Sequence, residues 1–122
     1  MNTVSAIVIA KNEENMIADC LDSVSFCDEI IVVDGGSEDR TVEIAKRMGA
    51  KVFTFKSDDF SEMRNFGLAQ ARYDWVLYVD TDERITESLK DEIEHLTKHS
   101  DRVVTLNAYS LKRKNSSGVM ST

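Results

Sequence analysis

The sequence contains no proline, only two cysteines and no long apolar run. Its longest apolar stretches, such as residues 6–10 and 75–79, are far shorter than the about 20 residues of a membrane-spanning helix. The start of the chain lacks a basic segment followed by an apolar stretch and a small-residue cleavage site, so no secretory signal is predicted. We therefore expect a cytoplasmic protein. The absence of proline indicates nothing about function.

The two cysteines, Cys20 and Cys27, have neither a CxxC spacing nor a companion histidine cluster, so reduced and partly buried thiols are predicted. Positive charge is also scarce, with 15 basic against 22 acidic residues and a net charge of −7. Non-specific binding to nucleic acid needs a basic surface, so that class of function is excluded. A nucleotide is not excluded, because a divalent cation can lie between an acidic site and a phosphate group.

The 122 residues, of which 42% are hydrophobic and 30% charged, have the composition of a globular domain with one core. Five short apolar runs predict strands, and segments with helical spacing lie between them. The strands are predicted at residues 5–10, 29–34, 51–55, 75–79 and 102–106, the last without a definite orientation. This alternation predicts an α/β fold with three layers, α/β/α, around a mainly parallel sheet.

The apolar pattern continues to residue 108 and is then lost. We therefore predict one domain at residues 1–108 and an irregular or disordered C-terminal tail at residues 109–122. Within the domain, side chains that cap helices precede the second, third and fourth helical segments. They include Asp39, Asp59 and Thr86, and Gly49 is expected to end the second helix.

Polar residues follow each of the first four predicted strands. In open parallel sheets, ligands bind beyond the carboxyl ends of the strands, so these residues are expected on one rim. They are residues 11–14, 34–37, 57–59 and 80–83. Their acidic side chains favour a ligand site. The alternative is that helices simply favour acidic first turns, through capping and the helix dipole.

The segment "VVDGGSEDRT" places Asp34 at the end of an apolar strand, before Gly35 and Gly36. Two glycines let a ligand approach the backbone closely. The segment lacks the spacing of GxGxxG and the lysine of a P-loop. An acidic residue here is better suited to accept hydrogen bonds from a base or ribose than to meet a phosphate. A tight strand-to-helix turn is the structural alternative.

Arg64 lies early in a predicted helix that follows an acidic loop. Its guanidinium could pair with Asp34 or Asp59, or reach the base or phosphate of a ligand. Asp80 and Asp82 stand two residues apart in "YVDTDER", and in extended backbone both side chains would point the same way. Paired carboxylates suit Mg²⁺ or Mn²⁺, whereas the alternative role is to cap the next helix.

Four segments together resemble the nucleotide-binding half of a family 2 glycosyltransferase with the GT-A fold. They are "SAIVIAKNEE", "IIVVDGGSEDRT", "MRNFGLAQA" and "WVLYVDTDE", and the resemblance covers about residues 4 to 100. The stretch from "KNEENMIADCLDSV" to "GAKVF" most resembles bacterial glucosyltransferases of the lipopolysaccharide-core type. The resemblance implies inverting transfer of a hexose from a UDP-sugar to a cell-envelope glycan or lipopolysaccharide-type acceptor.

The resemblance also implies roles for individual residues. The nucleotide-sugar would contact Ala10, Lys11, Glu13, Asp34, Gly36, Arg64, Asp80 and Thr81. Asp82, with Asp80, would ligate a Mn²⁺ or Mg²⁺ ion that bridges the diphosphate and neutralises charge on the departing nucleotide. No catalytic base is identified, because inverting family members carry it in a second half that is expected to be missing here.

The same resemblance implies partners. They are a glycan or lipid-linked acceptor, the inner face of the plasma membrane, and either a second copy or another chain covering the missing half. Two other readings remain open at this point. The length and the acidic strand ends also suit a receiver-like signalling module, although the first strand ends in "AKNEE" rather than an acidic pair. The second alternative is a non-catalytic nucleotide-binding remnant.

Overall fold

The computed structural model describes residues 4–73, 75–99, 104–106 and 109–113. The strands are β1 (Val4–Ala10), β2 (Glu29–Asp34), β3 (Lys51–Thr54), β4 (Trp75–Asp80), β5 (Val104–Leu106) and β6 (Tyr109–Arg113). The helices are α1 (Ile17–Ser23), α2 (Thr41–Arg47), α3 (Phe60–Gln70) and α4 (Glu87–His99). Through α4, strands and helices alternate as the apolar pattern predicts, so the α/β class is confirmed.

The sheet has the strand order β3-β2-β1-β4-β6-β5, and β1 to β4 are parallel. The chain moves outward from β1 to β3 and then returns to place β4 on the other side of β1. Such a reversal opens a crevice at the carboxyl ends of the two strands. The receiver-like hypothesis is wrong, because receivers of the flavodoxin-like type place strand 1 between strands 2 and 3.

Helices cover both faces of the sheet, which confirms the three layers. One face packs against α1, α2 and α4, through buried side chains that include Ile17, Leu21, Ala45 and Ile93. The other face packs against α3, where Met63 lies over Ile7 and Val33 of the sheet. Within the described residues, no helix has the length and apolar character that crossing a membrane requires.

Gly67 lets α3 approach the sheet closely. A Cβ atom at this position would lie 2.7 Å from Cγ2 of Ile7 and 3.0 Å from Cγ2 of Val33. The first separation is shorter than Cβ contacts in proteins, so a larger residue here would require Ile7 or the helix to shift. The close approach brings the start of α3 to the rim where β1 ends.

The structure differs from the sequence-based expectation at residues 109–113, which fall in the predicted irregular tail. They form β6, which pairs antiparallel with β4 and with β5. Without β6, one edge of β4 would expose a row of unpaired backbone groups. The pairing satisfies backbone groups and needs no apolar run, so the apolar pattern did not predict this strand. Residues 114–122 of the predicted tail lie outside the described residues, as do residues 102–103 of the fifth predicted strand.

Candidate functional site

A cleft of about 700 Å³ opens at the rim where β1 and β4 end. The register of the sheet brings Ala10 beside Asp34 and Ile9 beside Asp80 at this point. Of the predicted site residues, those that line the cleft are Ala10, Lys11, Glu13, Asp80, Thr81 and Asp82. Asp34, Gly36 and Arg64 are not among its lining residues.

The cleft also contains residues that the sequence analysis did not assign to a site. Met16, Phe60 and Met63 supply an apolar wall. Phe60 is 49% exposed, which is unusual for a large aromatic side chain. Their position in the sequence could have indicated a place in the site, because Phe60 and Met63 stand three apart at the start of a helix that directly follows the acidic rim loop. Residues in that position share one helix face.

The loops after β1 and β2 are joined by their own side chains. The backbone N–H of Asn12 donates to Oγ of Ser37 at 2.8 Å, and Oδ1 of Asn12 accepts from the N–H of Glu38 at 2.7 Å. Asn12 adopts a left-handed conformation with φ of 54°, which asparagine tolerates better than most residues. One side of the rim is therefore fixed by a reciprocal pair of hydrogen bonds.

A second set of bonds joins the same two loops nearer to α2. The N–H of Glu13 donates to Oγ1 of Thr41 at 2.8 Å, and the N–H of Glu14 donates to Oδ2 of Asp39 at 3.1 Å. Oε1 of Glu14 accepts from the N–H of Arg40 at 3.2 Å. The hydrogen bond from the Thr41 hydroxyl lowers the pKa of Asp39. These carboxylates are occupied by the protein itself.

Asp34 is also occupied. Its Oδ2 accepts from the N–H groups of Gly36 and Ser37, both at 3.0 Å, and its Oδ1 accepts from the Ser37 hydroxyl at 2.5 Å. The residue is 2% exposed. Gly36 has a φ of 104°, which explains why glycine stands there. Asp34 thus organises the turn after β2, and its contact with a base or ribose stays a prediction.

The segment after β4 is a turn rather than extended backbone. β4 ends at Asp80, whose C=O accepts from the N–H of Glu83 at 2.9 Å. The argument that Asp80 and Asp82 point the same way along a strand is therefore wrong. Both nevertheless line the cleft. Between them, the Thr81 hydroxyl donates to Oε2 of Glu13 and so joins this turn to the loop after β1.

The carboxylates of Asp80 and Asp82 have no partner within the described residues: neither accepts a hydrogen bond or forms an ion pair there. The lining includes two further carboxylates, Glu13 and Asp58, against one cationic group, Lys11. Like charges at this density repel one another unless a cation lies among them.

The described residues contain no cluster of three or more candidate metal ligands. Asp80 and Asp82 therefore do not fit a metal that is enclosed by protein groups alone. Two carboxylates do fit a hard divalent cation that takes its other oxygen ligands from water and from a bound phosphate.

Arg64 lies beside the cleft on two aromatic rings. Its guanidinium carbon is 5.2 Å from the centroid of Phe60 and 5.5 Å from that of Tyr78. Burial raises the pKa of Tyr78, and the charge of Arg64 opposes the rise. Within the described residues Arg64 forms no ion pair with Asp34 or Asp59. Its guanidinium is held next to Phe60, which does line the cleft.

Both cysteines are free thiols, as predicted. Cys20 lies beneath the turn after β4, where its Sγ donates to the C=O of Asp80 at 3.5 Å. Burial raises the pKa of Cys20 and of Cys27 to about 12. Neither thiol is therefore a nucleophile at neutral pH.

Comparison with known proteins identifies the family. The model of glycosyl transferase family 2 matches residues 5–121. The chain belongs to glycosyl transferase family 2.

Two relatives illustrate how far the family resemblance extends. An uncharacterized glycosyltransferase of Rickettsia typhi is 40% identical over 115 residues, which cover 92% of this chain and 38% of the relative. The lipopolysaccharide core biosynthesis glycosyltransferase LpsC of Rhizobium meliloti is 30% identical over 106 residues, covering 83% of this chain and 39% of LpsC. The chain thus spans about two-fifths of the length of each of these two relatives.

Solved structures of similar proteins establish the fold of this family 2 chain as GT-A. Staphylococcus aureus TarS (residues 1–349) has a TM-score of 0.72 and 32% identity, covering 83% of this chain and 34% of that one. Glucosyl-3-phosphoglycerate synthase from Mycobacterium tuberculosis, in complex with Mn²⁺, UDP and glucosyl-3-phosphoglycerate, has a TM-score of 0.60 and 31% identity. That match covers 66% of this chain and 33% of the synthase.

Proposed function

We propose that this chain is the donor-binding part of a glycosyltransferase and binds a UDP-sugar through a divalent cation, Mn²⁺ or Mg²⁺. One observation carries the proposal: Asp80 and Asp82 line an acidic cleft at the rim of a GT-A fold, and their carboxylates have no partner within the described residues. Support also comes from the similar structure of glucosyl-3-phosphoglycerate synthase, which holds Mn²⁺ together with UDP.

Asp82 and Asp80 would hold the cation. When bound, a divalent cation offsets the negative charge of a diphosphate and the charge that builds up as it departs. Such a cation would offset the repulsion in the cleft, because a diphosphate alone would meet four carboxylates and the single lysine of the lining, Lys11.

The remaining residues bind and orient the donor. Phe60 and Met63 offer an apolar wall, and Lys11 offers a cation to the phosphates. Arg64, fixed against Phe60, lies close enough to the cleft to approach a base or a phosphate. Thr81 and Glu13 act indirectly, since their hydrogen bond joins the turn that carries Asp82 to the loop after β1. Asp34 and Gly36 shape the neighbouring loop and complete the proposed nucleotide site.

Calorimetric titration of the chain with UDP, with and without Mn²⁺, tests the proposal. We expect UDP to bind only in the presence of the cation. Asp82→Asn keeps the shape of the side chain but removes its charge, and should weaken binding by at least about tenfold. The matched control is Asp91→Asn on the exposed side of α4, which should bind as the wild type does.

Two results would contradict parts of this proposal. If the wild type binds no UDP with either Mn²⁺ or Mg²⁺, the donor-binding function is wrong, and a remnant that binds nothing is the better description. If UDP binds equally well with a chelator present, the nucleotide site stands and the role of the cation is wrong.

We extend the proposal to the whole reaction: inverting transfer of a hexose to a cell-envelope glycan or lipopolysaccharide-type acceptor, at the cytoplasmic face of the membrane. The support is the relative LpsC, whose name places it in lipopolysaccharide core biosynthesis. Self-association, or a partner over the acceptor side, belongs to the same proposal. Incubation with UDP-hexose and such an acceptor, followed by NMR of the product's anomeric configuration, tests it. A retained configuration would contradict inversion.

A further inference from the structure

We propose that Arg84 is a positioning residue that fixes the turn bearing Asp80 and Asp82 in the shape that binds the metal–nucleotide ligand. The inference deepens the proposed function and rests on it, because it concerns the same site. Sequence analysis gave Arg84 no role, and its side chain does not line the cleft.

The guanidinium of Arg84 contacts the backbone on both sides of Asp82. Its Nη1 donates to the C=O of Thr81 at 2.6 Å and to the C=O of Glu83 at 2.7 Å. The first of these carbonyls belongs to the peptide bond that directly precedes Asp82. Hydrogen bonds from a charged donor to a carbonyl are stronger than those from a neutral one. The direction in which Asp82 leaves the backbone is therefore set by Arg84.

The same guanidinium joins the turn to a distant part of the chain. Its Nη2 donates to the C=O of Met16 at 3.3 Å, across a separation of 68 residues. Met16 is the N-cap of α1, and the next residue, Ile17, is fully buried in the core. Arg84 thus attaches the turn after β4 to the start of α1, a helix that packs in the core.

Two further contacts from α1 support the same turn. Cys20 donates to the C=O of Asp80, and the N–H of Ile85 donates to Oγ of Ser23 at 3.1 Å. Together with Arg84, they attach the chain from Asp80 to Ile85 along the length of α1. Arg84 contributes the only charged donor among these contacts. It donates to the C=O of Thr81, the residue before the proposed metal-binding residue Asp82.

An arginine suits this position for a geometric reason. Three carbonyl oxygens on two elements have to be reached by one side chain, and the planar guanidinium presents its five N–H donors in a fixed fork. The ammonium of a lysine carries the same charge at a single nitrogen. Charge and geometry can therefore be separated by comparing Arg84→Lys with Arg84→Ala.

The test is binding of UDP in the presence of Mn²⁺, measured by calorimetry, together with the EPR spectrum of the bound Mn²⁺. We expect Arg84→Ala to weaken binding by about tenfold, and Arg84→Lys to recover little of that loss. Both variants should broaden or shift the Mn²⁺ spectrum, since the position of Asp82 changes. Millimolar guanidinium should restore part of the binding to Arg84→Ala and none to Asp82→Asn. The control Arg47→Ala removes an exposed ion pair with Glu43 and should bind as the wild type does.

The outcomes separate the two proposals. Absence of metal-dependent UDP binding in the wild type refutes the proposed function itself. If the wild type binds and Asp82→Asn does not, but both Arg84 variants bind normally with unchanged spectra, the positioning role is refuted. Full recovery in Arg84→Lys also overturns it, because charge alone would then suffice. Should Arg84→Ala not fold, Arg84→Lys and its spectrum still decide the matter.

Discussion

The segments after β2 and β4 start alike, and then use their carboxylates differently. Each begins with an aspartate at the end of a buried strand beside β1, Asp34 next to Ala10 and Asp80 next to Ile9. After β2, Asp34 accepts three hydrogen bonds from its own loop. After β4, the carboxylates of Asp80 and Asp82 accept none within the described residues.

The difference separates two reasons for placing an acid at the rim of a parallel sheet. A carboxylate whose oxygens are filled by backbone N–H groups stabilises the fold, and its removal leaves those groups unsatisfied. Neighbouring carboxylates without partners instead repel one another, and this arrangement is typical of a site that binds a ligand. The first kind should matter in unfolding experiments and the second in binding experiments.

The largest expected effect tests this contrast directly. Asp34→Ala removes the acceptor for Gly36 and Ser37 in a buried site, and should lower the free energy of unfolding by about 3 kcal/mol. Asp82→Ala removes an exposed carboxylate without a described partner, and should change it by less than about 0.5 kcal/mol. Urea denaturation of the ligand-free protein measures both. Equal losses for the two variants would contradict the different roles assigned to Asp34 and Asp82.

A smaller effect is expected where the loops after β1 and β2 meet. Thr41→Val keeps the shape of a fully buried side chain but removes the hydroxyl that accepts from Glu13 and donates to Asp39. The free energy of unfolding should fall by about 1.5 kcal/mol. Thr54→Val is the control, because its side chain is exposed on β3. A similar loss for Thr54→Val would mean that the hydroxyl bonds of Thr41 do not explain the change.

Asn12 separates backbone strain from hydrogen bonding in the same region. Both Asn12→Gly and Asn12→Ala remove the bond to the N–H of Glu38. Only alanine is strained at a φ of 54°, so Asn12→Ala should be about 1 kcal/mol less stable than Asn12→Gly. Chemical denaturation of the two variants in parallel gives this difference. Identical stabilities would show that the loop relaxes to another conformation.

The smallest effect is a dependence on pH. The hydrogen bond from Thr41 lowers the pKa of Asp39 from its ordinary value of 3.8. A group whose pKa is lowered by folding contributes stability above its unfolded value, and that stability is lost as the pH falls through its folded value. Wild-type stability should therefore fall more steeply below about pH 4 than that of Asp39→Asn.

The Thr41→Val background provides the control for this pH effect. Without the hydroxyl that lowers the pKa of Asp39, replacing Asp39 should alter the acid profile less. Urea midpoints measured between neutral and acid pH give the comparison. A wild-type profile parallel to that of Asp39→Asn would contradict the lowered pKa.

The features predicted well from sequence are local ones. Asp59 caps α3 by accepting from the N–H of Ser61 at 2.8 Å, and Thr86 caps α4 by accepting from the N–H of Leu89 at 3.1 Å. Gly49 takes the left-handed conformation expected after α2. Each of these depends on residues within three positions along the chain, so the sequence pattern contains the necessary information.

The features that sequence reasoning missed depend on contacts between distant residues. β6 pairs with the edge of β4, which is distant in sequence, although "YSLKR" has no continuous apolar run. From the sequence, Arg84 is expected to be an ordinary surface residue, and only the structure shows its contact with Met16. From the sequence, Phe60 is only an apolar residue of a helix, and the structure shows that it lines the cleft.

The amino-acid sequence is sufficient to predict the alternation of strands and helices, the rim on which polar residues gather, and the family resemblance. These follow from apolar periodicity and short-range chemistry. Which carboxylates lack a protein partner depends on how the loops fold and meet. The order of the strands brings three loops together. Hydrogen bonds within and between these loops occupy Asp34 and Asp39, whereas the carboxylates of Asp80 and Asp82 have no partners in the described part of the chain.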